Sequence, residues 1–210
     1  MSRRLFITFE GGEACGKSTQ IALLVDRLRQ AEGRICHLVR EPGGTPLGEK
    51  IRHLVKHDPA GNGMAPETEL LLMNASRAEL VRKVIHPALE RGEAVVCDRF
   101  FDSTVAYQQF GRGLDAQRVD AAIRAAVGGL RPNLTIWLQV SREESRRRQA
   151  QRNDGGDRFE AEQAAFFERV EAGYAFLAQS DPDRFRPVDG SGDPVTVHER
   201  IWALVREVAG

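Results

Sequence analysis

The sequence predicts an α/β fold: a doubly wound, five-stranded, mostly parallel sheet with helices on both faces. Three observations carry this. Short apolar runs alternate with stretches of helical spacing along the chain, the first run passes straight into a glycine loop and a helix, and 210 residues suit one sizeable core better than two. Residues 1–210 are therefore expected to form a single domain. No internal repeat, low-complexity tract or interdomain linker interrupts them.

The elements follow in order. Leu5 to Glu10, LFITFE, is an apolar run closed by a glycine pair, as expected of a buried parallel strand. From Ser18 to Ala31 the residues Ile21, Leu24, Val25 and Leu28 recur at helical spacing, and Gly33 supplies a stop. Ile35 to Val39 reads as a second strand and Leu47 to Val55 as a short helix, followed by a polar loop with Asp58, Pro59, Gly61, Asn62 and Gly63. A longer helical stretch spans Pro66 to Glu90, which Pro87 is expected to kink or divide. Ala94 to Cys97 and Thr135 to Val140 are further strands, a weaker fifth lies near Arg184 to Val188, and helices fill the gaps.

Composition narrows the function classes. Hydrophobic residues make up 41% and charged residues 29%, an ordinary globular balance. Thirty basic side chains offset thirty acidic ones, so no global field draws in a nucleic-acid polymer or an anionic membrane, and any anion site must be local. Cys15, Cys36 and Cys97 are odd in number and widely spaced, which argues against a disulfide framework or a zinc site and fits a reducing compartment. The N-terminal apolar run is cut short by Glu10, too early for a signal peptide or a membrane span. A cytoplasmic location is expected. His53 and His57 share i,i+4 spacing, and with no acidic or cysteine partner expected nearby they read as surface residues.

The sharpest local signal is GGEACGKST, a Walker A pattern running through Gly11, Gly12, Glu13, Ala14, Cys15, Gly16, Lys17, Ser18 and Thr19. Glycines let the backbone curl its N–H groups toward an anion. Lys17 then reaches the β- and γ-phosphates of ATP, and the Ser18 hydroxyl joins a Mg²⁺ shell. The following helix points its positive dipole end into the loop. Glu13 sets a carboxylate beside an anion site, where a metal or a hydroxyl must engage it, or else it is a solvated loop acid.

Ligands in such sheets bind beyond the carboxyl ends of the strands, so the residues after each strand matter most. After the second comes Arg40, Glu41, Pro42, Gly43, Gly44, Thr45, a rigid turn with a charge pair at its mouth. After the third comes Asp98, suited to support Mg²⁺, beside Arg99, whose planar fork suits a second phosphate; a strand-capping salt bridge is the alternative for that pair. After the fourth, Arg142, Arg146, Arg147, Arg148, Arg152 and Arg158 form an arginine-rich segment, about 141–160, that reads as a closing lid with a hinge at Gly155 and Gly156. For any one of these arginines the alternative is a surface salt bridge to Glu143 or Glu144. Two anion-holding regions beyond the loop point to a donor nucleotide and a phosphorylated acceptor. No NKxD-type segment or DxxG spacing after Asp98 supports a GTP-binding switch, and a non-catalytic nucleotide-binding module leaves the second arginine pocket unexplained.

Seven ordered motifs together resemble the bacterial thymidylate kinase family along essentially the whole chain: FEGGEACGKST from Phe9, REPGGT from Arg40, ASRAEL from Ala75, CDRFFDST from Cys97, AYQQFGRG from Ala106, RPNLTIWL from Arg131 and DRFE from Asp157. The resemblance implies Mg²⁺-dependent transfer of the ATP γ-phosphoryl group to dTMP, giving dTDP, in a homodimer. It implies that Arg99 holds the acceptor phosphate, that Arg77 faces the thymine edge, and that Tyr107 packs on the deoxyribose and disfavours a ribose 2′-hydroxyl. Thr104 and Gln108 are implied base or sugar contacts, Glu13 the loop acid near the acceptor 3′-hydroxyl, and Arg148 and Arg152 the lid arginines. Arg40, Pro42 and Met73 complete the implied acceptor site.

The chain departs from the family pattern in three places. Ala14 and Cys15 stand where relatives carry glycine and a small Ala or Ser. Met73 and Asn74 replace a stacking aromatic, an interaction worth roughly 1–3 kcal/mol per base. Asn153 to Gly156 lengthen the lid by about one residue. The second reading is therefore a nucleoside monophosphate kinase with another acceptor base.

Overall fold

The computed structural model describes residues 4–150, 158–159 and 162–209. Five strands, β1 (Leu5–Glu10), β2 (Cys36–Arg40), β3 (Ala94–Asp98), β4 (Leu134–Gln139) and β5 (Phe185–Asp189), make one sheet in the order β2-β3-β1-β4-β5, every pair parallel. β1 is central: Ile7 sits between Val96 of β3 and Leu134 of β4. The strand order reverses direction at β1, and the switch point opens a crevice above the strand ends.

Helices α1 (Lys17–Glu32) and α9 (Pro194–Ala209) cover one face. Leu5, Ile7 and Phe9 of β1 meet Ile21, Leu24 and Leu28 of α1 and Ile201 and Val205 of α9 there. Side chains alternate along a strand, so Phe6 points to the other face, against Leu80, Val81 and Ile85. Burial on both faces is why β1 reads as an unbroken apolar run. A third cluster, built on Trp137, Phe166, Tyr174 and Phe185, seats α8 (Ala164–Ser180) beside β4 and β5.

The expected elements are all present, and their edges differ in informative ways. β2 starts at Cys36 and ends at Arg40, one residue later than expected at each end; Ile35 is exposed. β4 runs from Leu134, one residue early, and stops before Val140. The expected division of the helix near Pro87 takes the form of a π-helical turn. α3 (Pro66–Leu80) passes through a π-helical turn, Val81–Ile85, into α4 (His86–Glu90), with the His86 N–H donating to the Val81 carbonyl five residues back. A proline cannot donate to the carbonyl four residues behind it, and its ring crowds that turn; one wide turn relieves both. The remaining helices are α2 (Pro46–Lys56), α5 (Phe101–Thr104), which runs into a second π-helical stretch over Val105–Gly111, α6 (Ala116–Val127) and α7 (Arg142–Ala150).

Under the β4 edge lies a buried polar group. Asp102 accepts from Arg184 Nη1 and Nη2 at 2.7 and 2.8 Å, and Thr135 Oγ1 links this pair to Thr8 Oγ1. Each buried donor there finds an acceptor, as burial away from water demands. Among the described residues no helix is long and apolar enough to cross a membrane.

Candidate active site

The loop between β1 and α1 curls as its glycines predict. Gly11 takes φ 133°, and a Cβ there would stand 2.4 Å from the Leu138 carbonyl, so no larger residue fits against β4. Gly16, at φ 99°, caps α1. Ala14 takes φ 53°, where its Cβ costs roughly 1–2 kcal/mol that a glycine would not incur. The Lys17 ammonium folds back over the loop, donating to the Gly12 carbonyl at 2.8 Å and the Gly11 carbonyl at 3.2 Å. Cys15 packs beneath it, with Sγ 3.7 Å from Lys17 Nζ. Ser18 and Thr19 are exposed at the start of α1.

Two cavities open above the strand ends. One, of about 110 Å³, is lined by the loop from Glu13 to Ser18 together with Arg40, Arg52 and Asp98. The other, of about 50 Å³, is lined by Pro42, Met73, Arg77, Thr104, Tyr107, Gln108 and Phe159. Glu13, Glu41, Lys56 and Arg99 line both and so stand at their junction.

Arg99 is the hinge of that junction. It adopts φ 68°, a left-handed conformation rare for a non-glycine residue and a mark of local strain. Its Nη1 donates to Tyr174 Oη at 3.0 Å and Ser103 Oγ at 3.2 Å, and its Nη2 to Glu13 Oε1 at 3.1 Å. The guanidinium lies 5.2 Å from the Tyr107 ring centre. Glu10 anchors the turn behind it. The carboxylate, fully buried, accepts from the Phe100 and Ser103 backbone N–H groups, from Ser103 Oγ at 2.6 Å and from Tyr174 Oη at 2.8 Å. Burial raises its pKa, and Arg99, 3.7 Å away, opposes the rise.

The expected charge pair at the mouth of the REPGGT turn is absent. Arg40 pairs with Glu49 at 2.8 Å, while Glu41 turns inward to Arg77 Nε at 2.7 Å. Its Glu41–Pro42 peptide is cis. Burial pushes the Glu41 carboxyl up to about 7 against the pull of Arg77. Arg77 is 2% exposed and already engaged: Nη1 reaches Asn74 Oδ1 and Thr104 Oγ1, and Nη2 the Phe100 carbonyl. Asn74 thus orients Arg77 from the helix core, and Met73 alone of the pair reaches the pocket wall. The pocket is not without aromatics, since Tyr107 and Phe159 meet edge-to-face at 5.9 Å.

The Asp98–Arg99 salt bridge offered as an alternative does not form, since Arg99 pairs with Glu10 and Glu13. Asp98 Oδ1 is buried with no hydrogen-bond partner and lines the cavity that holds Lys17 and Ser18. An orphaned carboxylate oxygen lining the same cavity as a phosphate loop and its serine fits a Mg²⁺ that would keep waters and take its other ligands from a substrate. Of the lid, α7 is described and carries no buried residue. Arg147 and Arg148 pair with Glu144, and Arg142 with Glu168 and Glu171. Arg148 also lies over the loop, its Nη1 3.5 Å from where a Cβ on Gly16 would be. Arg152 and the Asn153–Gly156 stretch lie outside the described residues. His53 has an acidic neighbour after all, Asp58 Oδ2 at 3.8 Å, and both of these side chains are exposed.

A family model described as "Thymidylate kinase" matches residues 9–201. This chain belongs to the thymidylate kinase family. A thymidylate kinase of Thermomicrobium roseum is 50% identical over 203 residues, covering 97% of this chain and 95% of that one. One from a Synechococcus strain is 49% identical over 201 residues, covering 96% and 94%. The crystal structure of a thymidylate kinase from Ehrlichia chaffeensis superposes with a TM-score of 0.80 at 31% identity, covering 97% of this chain and 99% of that one. The fold is accordingly that of the family's P-loop phosphotransferases.

Sequence reasoning passed over Glu10, Lys56, Tyr174 and Phe159 at this site. Only Glu10 left a signal, as the one charged residue of a wholly buried strand. Glu13 offers a test of the electrostatics. Burial alone would raise its carboxyl, but Arg99, Lys17 and Lys56 prevail and hold it at about 2, against an ordinary value of 4.5. A depressed carboxylate contributes stability that is whole above its unfolded value and fades as pH falls from 4.5 toward 2. Melting temperatures followed down this acid limb should fall less steeply in Glu13→Gln than in the wild type. Parallel curves would show that Glu13 does not hold that charge.

Proposed function

We propose that this chain transfers the γ-phosphoryl group of ATP to dTMP, giving dTDP. The observation that supports this most is the junction at Arg99: on a strained backbone, one guanidinium held by Glu13, Ser103 and Tyr174 stands between a phosphate loop and an aromatic-walled pocket. In this reading the segment Gly11 to Thr19 and Lys17 hold the donor phosphates. Arg99 aims the acceptor phosphate, with Glu13 and Lys56 at its flank. Arg40, Pro42, Met73, Arg77, Thr104, Tyr107 and Gln108 surround the acceptor nucleoside. Arg148 and Arg152 cover the transferring group, in a lid formed by about 141–160 of one domain. Ser18 and, through water, Asp98 would hold a Mg²⁺, which would supply charge neutralisation at the ATP phosphates.

The acceptor phosphate is a nucleophile already at neutral pH, so no strong base is needed and catalysis is positioning plus charge neutralisation. One phosphate oxygen of dTMP attacks the γ-phosphorus in line, the bond to the ADP oxygen breaks, and ADP leaves with that electron pair. Lys17 has a further part. Its ammonium, now bonded to loop carbonyls, exchanges those partners for phosphate oxygens and is never left unpaired. The free thiols of Cys15, Cys36 and Cys97 fit a cytoplasmic setting.

ADP release measured with dTMP, dUMP, dCMP, dGMP and AMP in turn should be greatest with dTMP. Lys17→Ala and Arg99→Ala should each cost roughly three orders of magnitude in turnover, with the circular dichroism of the fold kept. A preference for another base, or near-normal turnover in either variant, would overturn the reading. A homodimer belongs to the same proposal, supported by exposed Leu47 on α2 and Leu71 on the adjoining α3. Sedimentation should return twice the chain mass, and a monomer at working concentration would refute it.

A further inference from the structure

Behind the acceptor pocket sits a carboxylate that the mechanism does not use. Glu69, in the first turn of α3, is completely buried and receives four hydrogen bonds. Its Oε1 accepts from Gln108 Nε2 at 2.7 Å and Arg112 Nε at 3.2 Å, and its Oε2 from Arg112 Nη2 at 3.1 Å and Arg158 Nη2 at 2.5 Å. The acceptor sites of a carboxylate are thereby filled. We propose that Glu69 is a positioning residue for acceptor choice: by taking the NH₂ group of Gln108 it turns the amide carbonyl toward the pocket, which then selects a pyrimidine carrying an N3–H donor.

The argument needs no observed proton. A glutamine's oxygen and nitrogen are alike in shape, and only their partners tell them apart. An ionised carboxylate can accept and never donate, so the amide atom 2.7 Å from it has to be the nitrogen. Glu69 is kept ionised: burial works against the charge, but the hydrogen bonds from Arg112 and Gln108 and the guanidinium charge beside them win, lowering its pKa. Gln108 Oε1 accepts no hydrogen bond from any described residue, although the side chain is 2% exposed and lines the pocket. A nearly buried carbonyl aimed into a cavity asks for a donor from whatever fills it. Arg77, on the same wall, has donors only, and beyond its bonds to Glu41, Asn74, Thr104 and the Phe100 carbonyl it keeps one Nη2 N–H to offer. One donor and one acceptor side by side match an exocyclic carbonyl next to an N–H, the edge of thymine or uracil. Cytosine presents the reverse at both positions, an amino group and a bare ring nitrogen.

This inference rests on the dTMP reading and is tested separately from it. In Glu69→Gln, residue 69 offers either a donor or an acceptor, so the Gln108 amide is free to turn over. The expected result is a KM for dTMP raised about tenfold, with kcat and the KM for ATP moving far less, and a dTMP-over-dCMP ratio of kcat/KM reduced at least about tenfold. The reciprocal double variant Glu69→Gln, Gln108→Glu puts an acceptor-only group back at the pocket and should recover most of that ratio. An unmoved ratio in folded Glu69→Gln, a uniform loss on all substrates, or no recovery in the double variant would overturn the proposal. Should neither variant fold, the wild type decides by NMR: the Gln108 side-chain NH₂, held by Glu69, should be protected from exchange and shift little when dTMP binds, and an NH₂ that exchanges freely or moves strongly on dTMP binding would overturn it. A wild type that does not phosphorylate dTMP would instead sink the proposed function itself.

Discussion

Glu10 ends the central strand with its carboxylate wholly out of water, and four hydrogen bonds converge on it from the β3–α5 turn and from α8. Remove that acceptor and the Phe100 N–H loses its partner, while the Ser103 N–H and the Ser103 and Tyr174 hydroxyls lose their shared carboxylate, each in a buried or half-buried residue. The same carboxylate stands 3.7 Å from Arg99 and fixes the turn that carries it. Two segments far apart in sequence, the β3–α5 turn and α8, are thus locked to the end of β1, where the phosphate loop also begins. The loop and the second anion site share one anchor, so their separation is set by the sheet and not by a flexible linker. In-line transfer between two phosphates requires that kind of fixed spacing.

Left-handed strain and much of the buried charge of the described residues gather at this point, the Asp102–Arg184 pair beside β4 being a separate case. Arg99 and Ala14 are the non-glycine residues with left-handed backbone among the described residues, and both line the loop cavity. The carboxylates Glu10, Glu41 and Glu69 are buried around the acceptor pocket, each against an arginine. Burying an ion pair gains little net stability over apolar packing, but it fixes which atoms face which. Here such pairs dictate where Arg77, Arg99 and Gln108 point. The cost falls on stability and the gain on geometry, a pattern expected of a site that must discriminate between similar bases.

Much of this was legible in the chain before folding. The strand–glycine loop–helix signal located β1, the loop and α1 because period, turn chemistry and cap all agree there. Strand edges slipped by a residue because β2 and β4 end where pairing partners end, which one strand's pattern cannot reveal. Pro87 announced an interruption but not its kind: a helix can widen by one turn as well as bend, and Val81 and Ile85 of that wide turn are packed into the core. The polar partnerships were the least legible part. Arg40 finds Glu49 and Glu41 finds Arg77, although Arg40 and Glu41 are neighbours in sequence, because successive residues leave a strand end toward opposite sides. Glu69 and Gln108, 39 residues apart, meet only when α3 packs against the π-helical stretch after α5.

The account stands on Arg99 as the group that holds the acceptor phosphate opposite the loop. Calorimetric affinities of dTMP and of thymidine, which lacks that phosphate, measured for the wild type and for Arg99→Ala, isolate this contribution as a four-way cycle. The wild type should bind dTMP much more tightly than thymidine, and Arg99→Ala should lose most of that advantage while binding thymidine nearly as before. An undiminished advantage of dTMP over thymidine in Arg99→Ala would contradict the account.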